Sequence, residues 1–140
     1  MDELKKNCVV ENVKQKSKRL RVAVYCRVDS RDELMKTVEY YKELFSKRMD
    51  WSLIKIYADV GVSGRNNANR KEFCFLISKC EMGDVDMIIS KSVSQFSRST
   101  LDLLRYIKML KNKRIAIFFE EENIHLFWTS SEIKWGGIKG

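Results

Sequence analysis

The sequence predicts an α/β domain: a mostly parallel sheet of four to five strands with helices on both faces. Three observations carry this. Short apolar runs alternate with amphipathic stretches in the order βαβαβαβ. Each connection is long enough to hold a helix, which parallel strands require. The opening strand is a short apolar run ending in polar residues, which reads as buried in a sheet covered on both faces. A chain of 140 residues is one domain by length and can bury a substantial core.

The stretch Leu20 to Ser30, LRVAVYCRVDS, is a short apolar run ending in polar residues and reads as a buried strand that opens into a loop. In open α/β sheets, ligands bind outside the carboxyl ends of the strands. Arg27, Asp29 and Ser30 sit at that edge. From Arg31 to Lys47, Leu34, Val38, Tyr41 and Phe45 recur at helical spacing between charges, which predicts an amphipathic helix. Ser52 to Ala58 reads as a second strand. Asp59 to Asn69, DVGVSGRNNAN, is the longest loop-like stretch, and loops at strand ends carry function more often than others. A second helix follows from Arg70 to Cys80, with Asn69 as its N-cap candidate and Gly83 as its terminator.

Val85 to Ser90 predicts a third strand, and Lys91 to Ser99 a polar loop at its carboxyl end. Ser99 or Thr100 caps a third helix running to Lys111. Its apolar face is either Leu104, Ile107 and Leu110, or Leu103 and Leu110. Ile115 to Phe119 is the fourth strand. The acidic run Glu120, Glu121 and Glu122 reads as a solvated edge, because adjacent strand residues alternate faces and make a poor metal site. Ile124 to Gly140 shows no clear periodicity and receives no assignment.

Lys and Arg outnumber Asp and Glu 27 to 19, for a net charge of +8, which favours a polyanionic partner, nucleic acid first. Residues 1–19, with Lys14, Lys16, Lys18 and Arg19, read as a basic tail, either solvated or touching phosphates. The N-terminus lacks the apolar core of a secretory signal, and no run is long enough to span a bilayer. Cys8, Cys26, Cys74 and Cys80 show no paired ligand spacing and His125 is the single histidine, so no metal site is expected. Reduced thiols in a cytoplasmic protein are the expectation. The strand-end loops bring Arg27 and Asp29, then Ser63, Arg65 and Arg70, then Gln95 and Arg98 to one edge. Several guanidinium forks at one edge suit a phosphodiester.

The motifs resemble those of a known family. Tyr25, Cys26, Arg27 and Val28 resemble the opening motif of the serine recombinases (resolvases, invertases and transposon integrases). Val38 to Leu44 is similar to the helix that follows it in the large serine-recombinase branch. Tyr57, Ala58 and Asp59, then Val62, Ser63 and Gly64, then Asn69 to Phe73 resemble the second motif. Lys91 to Arg98 with Thr100 to Leu104 resembles the third, and the resemblance spans residues 20–125.

It implies a resolvase-like fold and site-specific DNA recombination, in which a serine attacks a DNA phosphate and arginines stabilise the charge, without metal or cofactor. Arg27, Arg70 and Arg98 fall on phosphate-binding places. Tyr25, Ser30, Ser63 and Ser94 are the further substrate-binding candidates. Two places depart: Asp29 stands where the nucleophilic serine is expected, and Gln95 where an arginine is expected. Both changes remove what an anionic phosphate needs. Ser30 is the substitute nucleophile to consider, but a shift of one residue near a strand end redirects the side chain.

The expectation is therefore a recombinase catalytic-domain homologue defective in strand cleavage. The alternatives are a non-catalytic module that binds DNA or a recombinase and regulates it, or a relic. The partners implied are the DNA phosphate backbone and either a second copy of the chain or a related recombinase. The resemblance fades near His125, so residues 126–140 are expected to be divergent, with no DNA-binding domain in the chain.

Overall fold

The computed structural model describes residues 19–61, 70–128 and the backbone of 133–135. Six strands form one sheet in the order β2-β1-β3-β4-β5-β6. β1 is Leu20–Val28, β2 Trp51–Val60, β3 Met87–Ser90 and β4 Ala116–Phe119. β1 pairs in parallel with both β2 and β3, and β3 in parallel with β4. This is the parallel set that the alternating pattern predicts. β5, Ile124–Trp128, and β6, Ile133–Trp135, add an antiparallel edge. They occupy part of the stretch whose sequence shows no periodicity: strands of five and three residues are too short to display one.

β1 shows why helices cover both faces. Val22 and Val24 join one core cluster, with Tyr41, Phe45 and Trp51. Ala23 and Tyr25 join the other, with Phe73, Leu76 and Phe96. Successive side chains of a strand point to opposite faces, so an unbroken apolar run is buried twice. The first cluster is closed by α1, Arg31–Ser46, through Tyr41 and Phe45. The second is closed by α2, Lys71–Glu81, by the single turn α3, Val93–Phe96, and by α4, Thr100–Lys113. On α4 the inward face carries Leu103, Ile107 and Leu110, while Leu104 is exposed. The face used is the second of the two read from the sequence, joined by Ile107 from the first.

The helix ends follow local rules. Ser30 caps α1: its Oγ accepts the Glu33 N–H at 3.1 Å, and the Glu33 carboxylate accepts the Asp29 N–H at 2.8 Å. This is a capping box displaced by one residue. Ser99 caps α4 by accepting the Asp102 N–H at 2.9 Å. α2 ends in a Schellman motif, with Gly83 N–H to the Cys80 carbonyl and Asp84 N–H to the Lys79 carbonyl, both 3.0 Å. Gly83 takes φ +82°, a left-handed conformation that glycine adopts without strain. Lys91 to Ser99, expected as a loop, contains α3, because Ser92 Oγ accepts the Gln95 N–H at 3.2 Å and starts one turn.

Two expectations on the acidic run and the tail are refined. Glu120 is half-buried and accepts the hydroxyls of Tyr40, at 3.0 Å, and Tyr41. That seats α1 on the end of β4; Glu121 and Glu122 are exposed, and the Glu122 carboxylate accepts the Val93 N–H at 3.2 Å. Of the expected basic tail only Arg19 is described, and its Nε donates to the Met49 carbonyl at 3.2 Å. Ser63, Arg65 and the N-cap candidate Asn69 lie outside the described residues; the cap position of α2 is Arg70, with no side-chain cap bond of its own.

Burial pushes the Cys26 and Cys80 thiols up to about 12. The unfolded chain ionises thiols near pH 8.5. The native state therefore holds more protons between those values. Its stability is undiminished by these groups below about pH 8.5 and falls as pH rises towards 12. Denaturant unfolding across that range is expected to show this decline. A thiol probe at neutral pH is expected to modify exposed Cys74 in the native protein, and Cys26 and Cys80 only once unfolded. Equal native labelling of all three would contradict the core assignment.

Candidate functional site

The carboxyl ends of β1, β2 and β3 and the start of α2 meet at one edge, and one carboxylate organises them. Asp59, at the end of β2, accepts the Tyr25 hydroxyl at 2.7 Å, the Glu72 N–H at 2.8 Å and the Phe73 N–H at 3.3 Å. The last two are amide hydrogens of the first turn of α2, which have no partner inside the helix. Asp59 thus caps α2 from another element. Asp59 lies in one of the motifs that resemble the family, yet the sequence carries no sign of this capping role. A cap from a distant strand leaves no signal in local spacing.

Arg70 follows from that placement. It is 8% exposed, and its guanidinium carbon lies 3.8 Å from the centroid of the Phe73 ring and 5.5 Å from that of Tyr25. One terminal nitrogen donates to the carbonyls of Gln95, at 3.2 Å, and Phe96, at 2.6 Å. Those carbonyls are the open C-terminal end of α3, where a cation is favoured. Its Nε is buried without a hydrogen-bond partner among the described residues. A cavity of about 410 Å³ opens beside it, lined by Arg70 and Arg98, by Ser99 and Asp102 of the α4 N-terminus, and by Phe73, Cys74 and Tyr106.

The other expected site residues divide clearly. Arg27 is half-buried at the end of β1, and its N–H donates to Gln95 Oε1 at 3.1 Å. Arg27, Arg70 and Gln95 are therefore brought together, and Arg98 shares the cavity with Arg70. Asp29 is exposed, and its carboxylate has no partner among the described residues. Ser30 is exposed with its oxygen engaged as the α1 cap. Tyr25 is fully buried, with its hydroxyl on Asp59; burial first, and that hydrogen bond second, raise its pKa. It forms the wall behind the site. Ser94 is exposed, with its Oγ 3.3 Å from that of Ser92. Among the described residues no group of His, Cys, Asp and Glu could hold a metal ion, and no helix is long and apolar enough to cross a membrane.

Chemically, the edge offers the fixed positive charge of its arginines, which binds anions. It also carries the exposed carboxylate of Asp29, which opposes an anion.

Asp59→Ala is expected to cost roughly 1.5–3 kcal/mol in denaturant unfolding, since a charged acceptor of several hydrogen bonds is lost. Asp59→Asn keeps one acceptor oxygen and should lose less. If both variants unfold like wild type, the carboxylate does not hold the three elements together.

Residues 22–134 match the family described as the resolvase N-terminal domain. Among curated proteins no match is found. The chain is similar to the N-terminal catalytic domain of TP901-1 integrase, at 25% identity and a TM-score of 0.56, over 75% of this chain and 80% of that one. It shares the fold of a resolvase family site-specific recombinase from Streptococcus pneumoniae, at 19% identity and a TM-score of 0.62, over 76% of each chain. It also shares the fold of the C-terminal catalytic domain of ISC1926 TnpA, an IS607-like serine recombinase, at 17% identity and a TM-score of 0.58, over 81% and 72%. With the family match running through all five strands from β1 to β5 and the helices between them, the chain belongs to the resolvase family of serine recombinases.

Proposed function

We propose that this chain is a recombinase-type domain that engages the DNA phosphate backbone without cleaving it. The observation that carries this is the carboxylate of Asp29 at the end of β1, exposed and without a partner among the described residues, where the family pattern calls for a serine. A carboxylate at that place repels the phosphate that must approach, and it is not the nucleophile of a phosphoserine mechanism. Support for residual phosphate binding comes from Arg70 and Arg98 on one cavity and Arg27 beside it. The net charge of +8 adds long-range attraction. Ser30 is a poor substitute nucleophile because its oxygen already serves the first turn of α1.

A second reading has a specific observation in its favour. The fold is intact around the altered positions, with every core element in place. A domain that kept its fold while changing its chemistry suits a regulatory partner of DNA or of an active recombinase. Pull-down against a full-length recombinase from the same cell separates this role from a relic without function.

DNA binding by the full chain is expected to be weak, indifferent to sequence and steeply weakened by salt, because phosphate contacts carry it. Titration at two salt concentrations checks this, and affinity that barely changes would remove the basic surface as the cause. No covalent protein–DNA adduct is expected on a supercoiled substrate. Asp29→Ser alone should stay nearly silent, since lack of one preorganised charge-stabilising donor costs on the order of a hundredfold or more in rate. An adduct mapped to Ser30 in the unmodified chain would overturn the proposal.

A further inference from the structure

We infer that Gln95 is a positioning residue that latches α3 onto the carboxyl end of β1 by accepting a hydrogen bond, not by offering one to a ligand. The latch has a backbone origin. β1 pairs with β3 only through Tyr25, opposite Ser90, and runs on to Val28. The Lys91 N–H reaches the Tyr25 carbonyl at 3.3 Å, so the groups of residue 25 face the β3 side. Two residues on, those of Arg27 face the same side, where β3 has already ended. An inward N–H there needs an acceptor. The Gln95 side chain supplies it at 3.1 Å. A backbone N–H can only donate, so the atom facing it is the carbonyl oxygen.

The same residue is held on its other side. Its N–H goes to Ser92 Oγ at 3.2 Å and its carbonyl accepts from Arg70 at 3.2 Å. One residue therefore joins the end of β1, the start of α3 and the guanidinium of Arg70. Arg98 follows two residues after α3, so the latch also sets where that arginine enters the cavity.

The consequence concerns the arginine expected at this place. Arginine has five donors and no acceptor. It cannot take the Arg27 N–H, so Gln95→Arg adds a charge and opens the latch in one step. Restoring the family residue does not restore a family-like pocket on this backbone. This deepens the proposed loss of cleavage, and the two can fail separately.

The test is amide hydrogen exchange in the full chain, read residue by residue, for wild type, Gln95→Ala, Gln95→Glu and Gln95→Arg. Protection of the Arg27 amide is expected to fall about three- to tenfold in the alanine and arginine variants, the range for one neutral hydrogen bond. It should persist in Gln95→Glu, which keeps an acceptor oxygen. Unchanged protection at Val24, in the middle of the sheet, shows that each variant is folded. If the Arg27 amide stays protected in Gln95→Ala or Gln95→Arg, or is lost in Gln95→Glu, the latch is wrong. The cleavage reading is judged apart from this, by the adduct assay on the unmodified chain.

Discussion

The Asp59 carboxylate is the interaction on which the functional edge depends. It takes one hydrogen from β1, through Tyr25, and two from the first turn of α2, while itself belonging to β2. Three elements distant in sequence share one charged acceptor. The buried Tyr25 hydroxyl needs a partner, and so do the free N–H groups of α2. One residue answers both, and the start of α2 has no freedom to swing away from the sheet. Arg70 sits at that start. Its burial on Phe73 and its bonds to the end of α3 are consequences of where Asp59 puts the helix.

Around that point the fold is a closed circuit of polar contacts resting on a dry core. Phe73 packs edge-to-face against Tyr25, Phe96 and Tyr106, with ring centroids 5.0–5.2 Å apart. Such aromatic pairs add directional packing to simple burial. Arg70 lies over the same Phe73 ring, so the charged group and the apolar cluster position one another. The other face of the sheet is fastened differently. There the Tyr40 and Tyr41 hydroxyls converge on Glu120, and α1 is pinned at the carboxyl end of β4.

The electrostatic character of the edge is mixed for a reason visible in these contacts. Arg27 and Gln95 are tied through a backbone amide, and Arg70 is turned inward onto carbonyls. Arg98 stays exposed. Asp29 is exposed, with no side-chain partner among the described residues, on a loop whose backbone is held by the α1 capping box. Under the proposed function, this scaffold still presents a phosphate-binding edge, while Asp29 and Gln95 take the place of two side chains that would act on the phosphate.

The parallel core was legible in the sequence because it rests on local pattern. Apolar runs, helical spacing in α1, α2 and α4, and the glycine after α2 specify elements without reference to neighbours. So was the meeting of Arg27, Arg70, Gln95 and Arg98, since parallel strands must deliver their ends to one edge. Tertiary structure alone decided the rest. Which apolar face α4 buries depends on what lies beneath it, so Leu104 faces out and Leu103 in. The β5–β6 edge is too short for periodicity and forms because β4 offers open backbone groups. That Ser30, a site candidate in the sequence, also caps α1 is visible only in space. Asp59 caps a helix that begins 12 residues later, and Gln95 completes a strand that ended 67 residues before it. Hydrogen bonds of that reach are set by which chain ends meet, and the linear order of residues carries no record of them.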